Sequence, residues 1–367
     1  MKVLFQSRKT LFSVPGGDTT QILKTKEYLE KLGVEVDISL ELTPDLSNYD
    51  IVHVFNLMRP QDIFLQVENA AKHGVPVALS TIYGPYEEYE KKARGGYLQK
   101  LNQFLGINQI EYLKVLARAV LNREFSKGTL KYLMTGHKSL QRKIINKVGI
   151  FLPNSHSEMR RVESDFKLKG LPYISVPNAV DVSKFDYDAT EIEEQYKKYR
   201  DCILCVARIE GRKNQLNIVR ASKDLPYKFV FIGKPSANFK KYFDECVKEA
   251  GDNCEFLGQI PHEKLPQFYK LCRVHILPSW METPGLSSLE AAVMNSNIVV
   301  SKKGDTFDYF EDFAWYCDPL SVESIKESII KAYDSPIKYE LKEKIHEQYT
   351  WVKTAETTLE GYEKILK

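Results

Sequence analysis

The chain has 367 residues, 43% of them hydrophobic and 28% charged, which excludes a disordered polypeptide and exceeds what one ordinary core organises. No apolar run approaches the ~20 residues of a membrane helix, so a spanning protein is not expected. The net charge of +3 conceals a segregation: between Lys91 and Lys147 thirteen Lys/Arg face only Glu111 and Glu124, giving that segment +11 and the remainder −8.

The opening residues, Met-Lys-Val-Leu-Phe-Gln-Ser-Arg, carry too short an apolar stretch for a secretion signal and read as a buried strand over Lys2–Ser7. A Pro15–Asp18 turn and an amphipathic helix to about Leu32 follow. Strands are predicted at Val34–Ser39, Asp50–Phe55, Val75–Thr81 and Val148–Pro153, with helices from about Gln61 to Lys72 and from Ser155. Strand signal vanishes between 86 and 147, where a basic helical insertion stands. The second half restarts with strands at Cys202–Ala207, Lys228–Ile232, Cys254–Phe256, Val274–Leu277 and Asn297–Ser301, and ends in a helix near Leu359–Leu366. Such alternation predicts parallel sheets covered by helices on both faces. The expected architecture is therefore α/β, with two Rossmann-like doubly wound domains facing across a cleft. Residues 1–177 form the first, with its insertion at 86–147. Residues 178–345 form the second, and a helical segment at 346–367 packs back on the first. Ligands in such sheets bind beyond the carboxyl ends of the strands.

The six cysteines all lie in the second half. Cys202 and Cys205 make a C-x-x-C, but three residues apart on a strand they point to opposite faces and cannot share a metal. Packed thiols in a reducing cytosol are the reading. Asp186-Tyr-Asp188 has the letters of a cation-binding Asp-x-Asp, yet it falls in a turn-rich boundary and reads as a solvated linker. No metal and no other cofactor is expected.

The stretch Glu282-Thr-Pro-Gly-Leu-Ser-Ser-Leu-Glu290 follows a strand and opens a helix. Pro284 suits a first helical turn. The free N–H groups at Gly285, Leu286 and Ser287 make an anion site. Glu290 lies roughly 7–8 Å further along the axis. A diphosphate at the helix start would have a carboxylate toward each end, with Glu282 on a sugar and Glu290 on a ribose. Arg208 and Lys213 follow another buried strand and suit the charge that builds on a diphosphate leaving group. Arg212 is a third cation of the same loop. Gly16-Gly17 is open to close backbone approach by a donor phosphate or an acceptor, or is an ordinary turn.

Together these segments resemble the retaining family 4 glycosyltransferases of the two-domain GT-B fold, whose Glu-x7-Glu motif matches Glu282–Glu290. Val206-Ala-Arg208-Ile-Glu-Gly-Arg-Lys213 resembles that family's diphosphate segment, and Val176-Pro-Asn-Ala-Val-Asp181 resembles the element entering its second domain. Phe256-Leu-Gly258-Gln-Ile-Pro-His-Glu-Lys-Leu265 is similar to the loop whose backbone reads the nucleobase, through Gln259 and Ile260. Gly16-Gly17 and Asn154-Ser155 match the glycine loop and the close of the first sheet. The resemblance implies front-face transfer of a hexose-type sugar from a UDP- or GDP-sugar, with Arg208, Lys213 and Glu282 as the catalytic residues and no metal. One departure stands out: where many members carry a histidine, this chain reads Leu79-Ser-Thr-Ile-Tyr83. Tyr83 fills that place, or Ser80 or Thr81 supplies the hydrogen bond. Tyr83 and Asn154 are the acceptor candidates.

The insertion mixes cations (Lys100, Lys114, Arg118, Arg123) with apolar residues at helical spacing: Tyr97, Leu98, Leu101, Phe104 and Leu105, then Tyr112, Leu113, Leu116 and Val120. Either the stripe faces the core, or it forms an interfacial patch for anionic lipid, suited to a lipid-linked acceptor. No recognisable nucleic-acid module is present. The expected function is glycosyl transfer to a glycan or lipid-linked glycan in surface polysaccharide synthesis, in the cytoplasm or at the inner membrane face. A nucleotide-sugar epimerase or hydrolase and a non-catalytic sugar-nucleotide-binding protein are the alternatives.

Overall fold

In the computed structural model the chain divides into two compact units, each built on one parallel sheet. Residues 1–93, 104–121, 126–236 and 238–367 are described, with the backbone alone for Arg118 and Leu121. Tyr97, Leu98, Lys100, Leu101, Arg123 and the Arg118 side chain lie outside the described residues. The first unit comprises Met1–Glu87, Lys100–Asn178 and Trp351–Lys367; the second comprises Glu88–Gln99 and Ala179–Thr350.

The first sheet contains β1 (Lys2–Gln6), β2 (Glu35–Ser39), β3 (Ile51–Phe55), β4 (Val77–Ser80) and β5 (Ile150–Phe151), in the order β2-β1-β3-β4-β5. Successive side chains on a strand face opposite ways, and both faces here are apolar. Leu4, Val52, Val54 and Leu79 meet one helical layer, which includes Ile63, Phe64 and Val67 of the Pro60–Lys72 helix. Val3, Phe5, Ile51 and Ala78 meet another, with Ile22 and Leu29 of Gly17–Lys31 and Tyr362 of Trp351–Leu366. The last helix begins at Trp351, well before the predicted Leu359, because Trp351, Thr354, Ala355 and Thr358 continue the buried stripe.

His53 explains part of that docking. Its Nδ1 lies 2.6 Å from the Tyr362 hydroxyl and its Nε2 2.9 Å from Ser80 Oγ, all buried. It is a satisfied core histidine, and it ties β3 and β4 to the chain's last helix.

The second sheet contains β6 (Cys202–Val206), β7 (Phe229–Ile232), β8 (Cys254–Gly258), β9 (Cys272–Leu277), β10 (Asn297–Ser301) and β11 (Trp315–Cys317), in the order β11-β10-β9-β6-β7-β8. β11 lies outside the strands predicted from sequence. It is a three-residue edge strand, only half-buried at Trp315 and Tyr316, too short to show a period. All six cysteines are free thiols. Burial pushes Cys205 up to about 12. Asp186 Oδ1 accepts from the Asp188 and Ala189 N–H groups, so the Asp-x-Asp letters close a local turn.

Three histidines are buried and held neutral. Burial lowers His53 and His275 to about 3 and His137 to about 4. The unfolded chain takes up these protons below about pH 6.5 and the folded chain does not, so stability is lost as pH falls from there. The slope is about 1.4 kcal/mol per pH unit for each histidine. Thermal melts at pH 7, 6 and 5 should show a steadily falling Tm. Neither ring nitrogen of His275 has a partner among the described residues. His275→Leu should therefore preserve Tm at pH 7 and flatten the acid slope.

Candidate functional site

In the second unit β6 to β8 run to one side of β6, while β9 to β11 run to the other. Chain order thus reverses between β6 and β9, and a parallel sheet opens a crevice beyond the strand carboxyl ends at such a reversal. Two loops enter it, 207–214 after β6 and 278–285 after β9. They are bonded together: Trp280 N–H donates to the Arg212 carbonyl at 3.0 Å, and the Asn214 amide donates to the carbonyls of Pro278 (3.2 Å) and Pro319 (2.8 Å).

The charges of the first loop are arranged around Glu210, which the sequence reading passed over. Arg212 Nη2 lies 3.1 Å from each Glu210 oxygen, and Arg208 Nη2 lies 3.7 Å from Oε1. Burial of Glu210 works to raise its carboxyl, but Arg212, Arg208 and Lys213 outweigh it and hold it below the usual range. The Arg208 side chain stays 49% exposed, so its free donors face solvent. Lys213 reaches the other loop and pairs with Glu282. Each neutralises the other, so neither is a bare half-buried charge.

Glu282 is held through its backbone. Its N–H donates to the Lys303 carbonyl (3.2 Å), and its carbonyl accepts from Asp305 N–H (2.8 Å). This requires a glycine at 304, at φ +89, because a Cβ there would stand 2.2 Å from the Glu282 carbonyl oxygen. Past Glu282, Pro284 and Gly285 are buried and the Leu286–Val293 helix begins. Ser288 and Leu289 N–H groups turn back to the Gly285 carbonyl. The Leu286 and Ser287 N–H groups, on half-buried residues, have no partner among the described residues and present the positive end of the helix. Glu290 is gripped at both oxygens, by the Tyr269 hydroxyl (2.9 Å) and by His262 Nε2 (3.3 Å). Gln259 is exposed and Ile260 half-buried, just past the end of β8.

In the first unit Gly16 and Gly17 stand at the start of the Gly17–Lys31 helix, after β1. A Cβ on Gly17 would meet nothing within 4 Å. The approach to this turn is shaped by Arg8. Its guanidinium bonds Asp18 (2.7 and 3.0 Å) and the carbonyls of Thr10 (2.7 Å) and Val14 (2.9 Å). Gln21 of the same helix donates to Asn154 Oδ1 at 2.9 Å, so the glycine turn and Asn154 are neighbours. Tyr83 takes no such place. It is buried, and its hydroxyl donates to Asp165 at 2.8 Å. Thr81 donates to Glu158, and Ser80 bonds His53. The three residues proposed to stand in for the missing histidine are committed to the internal packing of this unit.

Two kinds of signal could have found what was missed. Glu210 is the lone acid within Arg208–Lys213, placed where it can pair with the cations on either side. Arg8 and Asp18 bracket the glycine turn. His262 lies in the segment likened to the nucleobase loop, but nothing in the sequence joined it or Tyr269 to Glu290, because they come from a different loop and helix. No group of three or more His, Cys, Asp or Glu able to hold a metal ion occurs among the described residues.

The model of the family described as Glycosyl transferases group 1 matches residues 188–349. D-inositol 3-phosphate glycosyltransferase of Corynebacterium urealyticum is 23% identical over 79% of this chain and 75% of its own length. Lipopolysaccharide 1,2-N-acetylglucosaminetransferase of Salmonella typhimurium is 25% identical over 42% of this chain, and the match spans 46% of that enzyme. Among solved structures, sucrose-phosphate synthase from Thermosynechococcus elongatus superposes with a TM-score of 0.72 at 13% identity, covering 100% of this chain and 99% of that one. Anabaena Alr3699/HepE in complex with UDP and glucose gives 0.68 at 12% identity, covering 99% and 100%. These likenesses show the GT-B fold, with its two Rossmann-like α/β domains.

Gly304→Ala should shift the Glu282 loop and lower Tm by several degrees. Glu210→Gln should release Arg208 and Arg212, costing about 1–3 kcal/mol of stability. Thermal melts of the first variant and urea unfolding of the second check these.

Proposed function

We propose that the chain is a metal-independent glycosyltransferase that takes a UDP- or GDP-sugar and transfers a hexose-type sugar, with retention, to a glycan or lipid-linked glycan. The observation that carries this reading is the meeting of three elements at the β6/β9 reversal: the Lys213–Glu282 pair, the Glu210-anchored arginines and a free helix start. In this reading the diphosphate lies on the Leu286 and Ser287 N–H groups and draws Lys213 and Arg208 to it. Glu282, released from Lys213, accepts hydrogen bonds from the sugar hydroxyls. Glu290, already held by Tyr269 and His262, takes the ribose, with Gln259 and Ile260 toward the base. The bond from the anomeric carbon to the diphosphate breaks, and its electrons leave with the phosphate. The acceptor oxygen bonds the same face while the departing phosphate takes its proton. Gly16, Gly17 and Asn154 are proposed for the open turn that receives a ligand in the first unit. The names of the curated relatives, an inositol-phosphate and a lipopolysaccharide glycosyltransferase among them, support this class of reaction.

A lipid-linked acceptor is favoured by the insertion. Leu113, Leu116 and Val120 of the Ile107–Leu121 helix are exposed, while Ile110, Val115 and Ala119 are buried, so that stripe faces away from the core. Phe104 (87% exposed) and, on the Lys127–Thr135 helix, Leu130 and Met134 add to it. Lys127 and Lys131 lie on the same helix, and each cation near an anionic surface contributes about 1 kcal/mol. Among the described residues no helix is long and apolar enough to cross a membrane, so this contact is read as peripheral.

Donor hydrolysis with UDP- and GDP-sugars, accelerated by acceptor, tests the reading. Arg208→Ala and Lys213→Ala should each lower kcat by about 10²–10³-fold with little change in donor KM. Wild-type kcat in both variants would sink it. Flotation with vesicles containing anionic lipid should carry the protein upward, and Leu130→Ser with Met134→Ser should abolish this without altering soluble donor hydrolysis.

A further inference from the structure

The opposite ends of the same two strands hold a second feature. At the amino-terminal ends of β6 and β9 lies a cavity of about 250 Å³ whose lining includes Tyr187, Arg200, Asp201, Lys270, Arg273 and Tyr339. Arg200 and Asp201 lead into β6, and Lys270 and Arg273 flank the start of β9. The two approaches are locked by a bond from Asp201 N–H to the Leu271 carbonyl at 2.8 Å. Three cations therefore face a single carboxylate.

These cations are differently committed. Arg273 donates from Nε to the Tyr333 carbonyl (3.2 Å) and from Nη2 to the Ser335 carbonyl (2.6 Å), which fixes the guanidinium and leaves Nη1 uncommitted. Lys270 gives one N–H to the Thr190 carbonyl (2.9 Å), with its ammonium 4.8 Å from the Tyr187 ring centroid. The Arg200 side chain makes no hydrogen bond or ion pair among the described residues. Two anchored cations and one free guanidinium outnumber the one carboxylate of the lining, and guanidinium and ammonium donors of this kind suit a phosphate. Asn295 also lines the cavity. The rings of Tyr187 and Tyr339 offer apolar faces beside it.

Size narrows the ligand. The volume is below the ~300–1,000 Å³ of sites for drug-sized molecules, so a nucleotide-sugar is too large. The strand β9, at about 3.3 Å per residue, separates this cavity from the loop at 278–285 by on the order of 15–20 Å. We propose that the cavity is a second ligand site, which takes a small phosphate-bearing molecule, orthophosphate or a phosphorylated monosaccharide, with Arg200, Lys270 and Arg273 on the phosphate. The proposal stands apart from the donor reading, since it uses none of the same residues.

Calorimetric titration of the full chain at constant ionic strength, with UDP already saturating, tests it using orthophosphate, glucose 6-phosphate and glucose. Glucose 6-phosphate is expected to bind and glucose is not. Arg200→Ala, at an exposed residue, and Lys270→Gln should each weaken binding at least five-fold, with melting curves like the wild type. Tighter binding of glucose 6-phosphate than of orthophosphate identifies the phosphorylated sugar; equal affinities identify the free anion. No binding by either phosphate in the presence of UDP, or unchanged affinity in both variants, overturns the proposal.

Discussion

One buried carboxylate governs the second unit. Glu210 sits beneath the loop after β6 with three cations around it, and their combined field keeps it ionised despite burial. Removing an ion from water costs several kcal/mol, which only close partners offset. Arg208, Arg212 and Lys213 are therefore drawn to one point beyond the carboxyl end of β6. From there Lys213 extends to Glu282 on the loop after β9. The loops on either side of the sheet's reversal are thus held by charge as well as by the Trp280 and Asn214 hydrogen bonds. The helix start at Leu286 completes an electropositive surface with a single paired carboxylate at its edge. In the proposed reaction that pair is the part that exchanges partners, while Glu210 and Glu290 stay as they are.

The first unit spends its polar groups differently. After β4, where a ligand-facing side chain was expected, Ser80, Thr81 and Tyr83 are each bonded inward, to His53, Glu158 and Asp165. Glu158 also accepts from the backbone N–H of Tyr83 (2.6 Å) and of Asn154 (2.9 Å). A buried acid with this many donors pulls the 81–83 and 154 segments together. What remains open there is the glycine turn after β1, shaped by the Arg8–Asp18 pair.

The same strands β6 and β9 carry charge at both ends. At their carboxyl ends the cations are arranged about a buried acid. At their amino ends three cations share a cavity lining with the one carboxylate of Asp201, and the Arg200 side chain has no partner among the described residues. The basic character of the 91–147 insertion is a third, separate concentration, in which lysines share helices with outward apolar side chains.

Much of this was legible in the sequence. Two parallel sheets followed from alternating strand and helix patterns, and ten of the eleven strands were legible, most of them as short apolar runs buried on both faces, β2 and β8 being only partly buried. The β11 strand was not legible, being a three-residue edge segment. The Glu282–Glu290 spacing, Arg208 and Lys213 were legible because their chemistry is set by residue type and by position after a strand. What sequence could not supply was pairing. That Lys213 meets Glu282, that Glu290 is gripped by Tyr269 and His262, and that Tyr83 turns inward to Asp165 depend on which loops the sheet order makes neighbours. The direction of the insertion's stripe was open for the same reason: helical period reveals that a face is apolar, and only packing decides whether the core or the solvent receives it. By itself the sequence determined the elements and the kinds of charge after each strand. The tertiary structure decided which of those charges touch, because contacts between residues some seventy positions apart arise from strand order, which no local pattern encodes.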